Sequence, residues 1–296
     1  MSSMYLKYFF LIYCKILNRY DKNKGVKKID EQIREPIQLS PDCNKVAYSK
    51  LNGKSIDNLT TSDLYIYETG KKSIKILENC FPQYQYNFSW ETNGVAYTEV
   101  DGETNTFKLY IKNQFKDKEL VDEGTAIFPL SYSDNGNILA YEKKDSNLEK
   151  SYYYIKKANE KPEHIATSNY FQLMPGNFSA YYIEDDIKAK QIGNLYYKEL
   201  NKKPVKIATE VKKIISGESI YGYINSLKQK GILFQKNDGA VFLINEKKAP
   251  QKMCNLNTDE SILLDESAKG FTIVPEREGI IKRGIYDKAK KNYVIK

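Results

Sequence analysis

A two-residue pattern, an aliphatic or aromatic residue followed by an aromatic one, returns six times along this chain. The copies are Leu64-Tyr65, Leu109-Tyr110, Tyr153-Tyr154, Leu195-Tyr196, Val241-Phe242 and Ile285-Tyr286. The steps between them are 45, 44, 42, 46 and 44 residues. A constant period in the forties, with several short strands per period, is the pattern of a β-propeller. Six such periods occupy nearly all of the 296 residues.

Three further features align on the same period. A small residue followed by an aromatic precedes each copy: Ala47-Tyr48, Ala96-Tyr97, Ala140-Tyr141, Ala180-Tyr181, Gly222-Tyr223 and Gly270-Phe271. Before that pair comes an apolar run ending in a polar turn, at 37–42, 86–91, 130–135, 171–176, 213–218 and 261–266. After each copy comes a fourth run: SIKIL (73–77), KELV (118–121), EHIA (163–166), VKIA (205–208), QKMC (251–254) and NYVIK (292–296). Alternation with period two places successive side chains on opposite faces of a strand. The expected fold class is therefore all-β, a six-bladed β-propeller with four antiparallel strands per blade, spanning residues 31–296. The small residues at 47, 96, 140 and 180 are expected to be buried at equivalent places. The fifth repeat has two readings. Asn237-Asp238-Gly239 signals a hairpin between GILFQK and AVFLIN, which makes GILFQK a second strand or part of an inserted arm.

Residues 1–30 stand apart. The stretch 20–29 resembles 67–76, so the segment reads as a closing strand or strands that latch the last blade. Seven blades with a degenerate first blade is the alternative. The apolar run YFFLIYC (8–14) is shorter than the ~20 residues a membrane-crossing helix needs, so no transmembrane helix is expected. It lacks the small residues of a cleavage site and reads as a strand, with a targeting or anchoring element as the competing reading. Location stays open between cytoplasm and cell envelope.

Formal charge is +8, from 46 lysines and arginines against 38 acids. Only four of the basic residues are arginine, at 19, 34, 277 and 283. Bidentate phosphate and guanine recognition prefers arginine, so no nucleic-acid partner is expected. The lysines read as dispersed among acids over all repeats. The cysteines at 14, 43, 80 and 254 have no CxxC spacing and no neighbouring histidine; free thiols are expected and no metal site.

The turn and strand sequences resemble the TolB-like family of WD-like propeller repeats. LSPDCNKVAYSK (39–50) with SDLYIYETGKKSIKIL (62–77) follows the family pattern, with Cys43 where the family prefers glycine. YSDNGNILAYEKK (132–144) and FSWETNGVAYTE (88–99) follow it too. The resemblance covers about residues 37–296 and implies a bacterial propeller, often one working in the envelope. Its relatives include envelope accessory proteins, regulatory propellers of prolyl-oligopeptidase-type enzymes and a few enzymes built on the ring.

No catalytic residues, cofactor or metal are expected. The chain has no Gly-x-Ser-x-Gly elbow and no P-loop. Its one histidine, His164, lies in a fourth run. The carboxylates Asp42, Glu91, Asp134, Glu218 and Asp265 recur once per repeat and read as turn caps. The function expected is a non-catalytic module, a monomeric ring, binding a protein or polymeric ligand. Its candidate binding residues are the aromatics entering the inner strands: Phe81, Tyr84, Tyr86, Phe128, Tyr170 and Phe171, since rigid aromatic loops are common anchors. The loop 51–62 is expected to overhang them. The alternative is a carbohydrate-active enzyme using carboxylates in a central pocket.

Overall fold

The computed structural model describes residues 8–295 apart from 14–15, 22–24, 57–58, 82–85, 102–103, 105, 115, 145–150, 175–176, 188–191, 216–230, 246–247, 258–259, 265–269, 276–279 and 288–291. The chain forms two compact units, residues 1–164 and 165–296. Every regular element among the described residues is a strand.

The first sheet holds β1 (Tyr8–Tyr13), β2 (Ile16–Asp21) and β3 (Gly25–Glu31) in that order. The segment 8–13 is thus a strand, as its sequence suggests. The second sheet runs β4 (Ile33–Leu39), β5 (Lys45–Ile56), β6 (Leu59–Glu68) and β7 (Ile74–Cys80). The third holds β8 (Tyr86–Ser89), β9 (Gly94–Asp101), β10 (Thr106–Lys112) and β11 (Glu119–Gly124). The fourth holds β12 (Ala126–Tyr132), β13 (Ile138–Lys144), β14 (Ser151–Lys157) and β15 (Glu163–Ser168).

In the second unit one seven-stranded sheet runs β16 (Phe171–Met174), β17 (Ser179–Ile187), β18 (Ile192–Lys198), β19 (Val205–Ile214), β20 (Gly231–Lys236), β21 (Ala240–Asn245) and β22 (Gln251–Asn255). The last sheet holds β23 (Glu260–Leu264), β24 (Gly270–Pro275), β25 (Lys282–Asp287) and β26 (Asn292–Ile295).

The two repeated sequence pairs meet across the hairpins. Tyr48 lies opposite Tyr65, Tyr97 opposite Tyr110, Tyr141 opposite Tyr154 and Phe234 opposite Phe242. Their rings stack with centroids 5.6, 5.8, 5.2 and 5.3 Å apart. Each such pair adds ~0.5–1.5 kcal/mol beyond the area it buries. The alanines at 47, 96, 140 and 180 are all buried. Gln38 lies opposite Ala47 and Asn87 opposite Ala96. From there Gln38 Nε2 donates to the Tyr86 carbonyl at 3.1 Å, and Asn87 Nδ2 to the Pro129 carbonyl at 2.8 Å. A short side chain beside each amide leaves it room to reach the next sheet.

Within each unit the core lies between consecutive sheets. Ala47, Leu64, Ile66 and Ile76 of the second sheet pack on Phe88, Val95 and Tyr97 of the third. Ala96 and Leu109 pack on Ile127, Leu139 and Tyr141 of the fourth. Leu17 of the first sheet packs with Ile33, Val46, Tyr48 and Tyr67. In the second unit Val241, Met253 and Cys254 pack on Ile262, Phe271 and Ile273.

Left-handed residues close the turns at repeating places. Cys43, Asn93, Gly136 and Phe178 have φ of 55, 48, 70 and 52° between first and second strands. At Gly136 a Cβ would come within 3.1 Å of Thr92, so glycine answers a close approach there as well. The Ser40 turn is held by its own side chains: Ser40 Oγ meets Asp42 Oδ1 at 2.6 Å, and the Asn44 amide donates to the same oxygen at 3.0 Å.

Two features differ from the sequence reading, and a third, in the fifth repeat, follows one of its two alternatives. In the fourth sheet the turn acid is replaced by Asn135, which accepts from Ser133 Oγ at 2.9 Å. Asp134 instead offers its carbonyl to Ser89 Oγ at 2.6 Å and the Glu91 amide at 2.9 Å. Glu218 and Asp265 lie outside the described residues. In the fifth repeat GILFQK is the second strand, paired with β19 and β21, and Gly222-Tyr223 lies outside the described residues. In the last sheet Phe271 lies opposite Gly284, not Tyr286. Ile285 is 41% exposed there. A Cβ on Gly284 would fall 2.2 Å from Phe271 Cζ, so the Phe271 ring lies over a glycine where the other repeats set a second aromatic opposite.

Candidate functional site

The loop aromatics fall into two groups by unit. In the first, Tyr86 opens β8 and is buried, 4% exposed, with its ring over Tyr97 at 6.3 Å. Its hydroxyl donates to the Phe81 carbonyl at 2.8 Å and so pins the two ends of the 82–85 connection. Tyr86 therefore packs between sheets and holds the half-buried Phe81 in place. Phe128, half-buried on β12, meets Phe107 edge-on at 5.9 Å. Tyr84 lies outside the described residues.

In the second unit Tyr170 and Phe171 are half-buried at the start of β16. Ser168, buried, fixes this corner. Its Oγ donates to the Ile183 carbonyl at 2.6 Å and accepts from the Tyr170 amide at 3.0 Å. The Ile183 amide donates to the Tyr170 carbonyl at 3.0 Å. Phe81, Phe128, Tyr170 and Phe171 are thus partly solvent-facing rings on backbone that is held by hydrogen bonds, the condition for a preorganised contact surface.

The 51–62 stretch is a β-hairpin arm. Strands β5 and β6 continue pairing to Ser55 opposite Thr60 and Ile56 opposite Leu59. Asn52 fastens its base: Nδ2 donates to Asp63 Oδ1 at 2.8 Å and to Asn79 Oδ1 at 3.0 Å, while Oδ1 accepts from Thr61 Oγ1 at 2.9 Å. Beyond that base Gly53, Lys54, Ser55 and Ile56 are exposed.

Two charged ties of one design recur in the first unit. Asp30 accepts from Tyr48 Oη at 2.9 Å and from Lys50 Nζ at 2.6 Å. Asp122 accepts from Tyr141 Oη at 2.8 Å and from Lys143 Nζ at 2.9 Å. In each the acid sits on the last strand of one sheet and the Tyr-x-Lys on the second strand of the next. Partial burial alone would raise the Asp30 carboxyl. The hydrogen bonds from Lys50, the Glu31 amide and Tyr48 outweigh it and hold that carboxyl below its ordinary value. The sequence does carry the signal, an acid 18 or 19 residues before the tyrosine, but it shows only when alternate repeats are compared.

Among the described residues no three His, Cys, Asp or Glu side chains gather as a metal-holding group. Cys43, Cys80 and Cys254 are free thiols, and Cys14 lies outside the described residues. Burial pushes the thiols of Cys80 and Cys254 up to about 11, so both are protonated at neutral pH and poor nucleophiles. His164 is exposed on β15, edge-on to Tyr154 at 5.3 Å.

No protein-family model matches the sequence, and no curated protein matches it. Solved structures do match. The β-propeller domain of the Trilobed protease from Pyrococcus furiosus, described as having an open velcro topology, has a TM-score of 0.52 at 13% identity. The match covers 89% of this chain and 82% of that one. Dipeptidyl peptidase 4 of Porphyromonas gingivalis has a TM-score of 0.62 at 12% identity, covering 97% of this chain and 50% of that one. A prolyl endopeptidase has a TM-score of 0.52 at 13% identity, covering all of this chain and 49% of that one. The fold is that of a β-propeller domain. The chain spans about half the length of the two peptidases it matches. No helix among the described residues is long and apolar enough to cross a membrane.

Proposed function

We propose that this chain is a non-catalytic propeller module of the TolB-like kind. It presents Phe81, Phe128, Tyr170 and Phe171, with the 51–62 arm, to a protein or polymeric ligand. The observation that carries this reading is where four acids of the first unit are engaged. Asp42 holds a turn, Asp30 and Asp122 hold tyrosine and lysine of a neighbouring sheet, and Asp63 holds the arm. A glycosidase needs two carboxyls converging at ~5–10 Å on a substrate. These acids face protein donors instead.

The strand order supports the seven-blade reading over six. Leu17 and Leu64, both fully buried, occupy matching places in β2 and β6, so β1–β3 correspond to the second, third and fourth strands of a repeat. The seven-stranded sheet supplies the fifth and sixth blades. Tilted-view electron microscopy or crystallography that counted six blades would discard it.

The functional test is capture with the intact chain against soluble and envelope fractions of the source cell. Phe81→Ala, Phe128→Ala and Phe171→Ala should each lower capture several-fold without moving the melting temperature by more than a few degrees. Turnover of any glycan by the purified chain would overturn the module reading in favour of a saccharide-acting enzyme.

A further inference from the structure

The +8 charge is not shared between the units. The first carries 24 lysines and arginines against 23 acids, a net +1; the second carries 22 against 15, a net +7. The sequence reading of lysines dispersed among acids holds only for the first unit.

Among the described residues pairing follows the same division, apart from Lys282 and Glu260, 2.9 Å apart in the second unit. In the first unit Lys50 meets Asp30 at 2.6 Å, Lys118 meets Glu99 at 2.8 Å, Lys143 meets Asp122 at 2.9 Å and Lys156 meets Glu119 at 3.1 Å. Along β19 and the turn before it, Lys202 pairs with Glu199. Lys203, Lys206, Lys212 and Lys213 are exposed, and among the described residues none of them has an ion pair. Between Lys203 and Lys213 the one acid is Glu210. At ~3.3 Å per residue, Lys206 to Lys213 spans about 23 Å.

Lys206 lies directly opposite Tyr196 across the strand pair, its Nζ 5.9 Å from the ring centre. The Tyr196 ring in turn stacks on Tyr182 at 5.6 Å and 18°. A half-exposed flat ring beside an ammonium offers both halves of an acidic sugar a partner: the ring takes its C–H face and the ammonium its carboxylate or sulfate.

We infer that β19 is a docking strand for a linear acidic polysaccharide. Lysine ammoniums are rotatable point charges that follow anions spaced along a flexible chain. The planar fork suited to phosphodiesters and base edges belongs to arginine, which none of β16–β22 contains. Phe171 shares a cross-strand row with Tyr182, Tyr196 and Lys206, but the lysine substitutions leave every loop aromatic in place, so each reading can fail without the other.

The full-length chain is titrated with hyaluronan and, separately, dextran sulfate by calorimetry from about 20 mM to about 300 mM salt; affinity that rests on charge neutralisation falls steeply over such a range. The quadruple variant K203Q/K206Q/K212Q/K213Q should weaken binding at least ~10-fold and flatten the salt dependence. A control with the same charge change, K27Q/K72Q/K116Q/K161Q in the first unit, should leave affinity within ~2-fold. All eight lysines are exposed, so both variants should melt like the parent. The hyaluronan and dextran sulfate arms separate carboxylate from sulfate as the preferred anion. Three results would overturn the inference: no glycan binding at low salt, equal loss in both variants, or tighter binding to duplex DNA or phosphatidylserine vesicles than to either glycan.

Discussion

At single positions, backbone conformation and hydrogen bonding explain more than composition. Cys43 sits at φ 55° in a turn where its counterpart in the fourth sheet is Gly136. A non-glycine residue there carries a cost of roughly 1 kcal/mol, partly offset by its stiffer unfolded chain. Cys43→Gly should therefore raise stability by about 0.5–1 kcal/mol in urea melts. Acid sensitivity belongs to this scale as well. Asp42 is held below its ordinary value by Ser40 and the Asn44 amide, as Asp30 is by its partners. A carboxyl depressed in the folded state stabilises fully above its unfolded value of about 3.9 and loses that contribution as pH falls through the folded one. The urea midpoint should accordingly drop below about pH 4, and Asp30→Asn should lower it at pH 7 while making it less steep in acid. A drop of equal steepness in the variant would rule out Asp30 as a source.

Single strands show how much the sequence can disclose. Strands β5, β9, β13 and β17 with their buried alanines are readable from period-two alternation alone. Register is not, because slipping an alternating strand moves every side chain without altering the pattern. That is why Ile285-Tyr286 looks like the other five copies while Gly284 is the residue under Phe271. Gly284→Ala should cost about 1–3 kcal/mol by overpacking, and pairing it with Phe271→Leu should recover part of the loss. No recovery would mean the ring is not what the new methyl meets. Candidate binding residues were legible only as aromatics near strand starts. Burial then divides them, since Tyr86 and Phe128 read alike in sequence but one faces a core and the other is half open. The lysines of β19 escaped notice for a related reason: pairing depends on acids distant in sequence, which a local reading of charge does not weigh.

For the molecule as a whole, the N-terminal segment and the shared strand of the second unit matter most. Leu17 and Ile29 pack with Ile33, Val46, Tyr48 and Tyr67. Asp30 also bonds Tyr48 and Lys50. Removing residues 1–31 would open that cluster to water and leave two donors without their acceptor. The truncated chain should therefore lose several kcal/mol and melt well below the parent; buried aliphatic side chains alone contribute about 1.5–3 kcal/mol each. An unchanged midpoint would mean the segment is an appendage. Strand β19 has the opposite character, belonging to two repeats at once. Val205 and Lys206 pair with β18, Lys213 and Ile214 pair with β20, and Val211 pairs with both. Repeat proteins ordinarily open one unit at a time, because each unit contacts its neighbours only through an interface. Here a single continuous backbone run is hydrogen-bonded into two units, so neither can open without the other. The amides of β17–β18 and β20–β21 should exchange with deuterium as one cooperative block, with matching protection and matching response to denaturant.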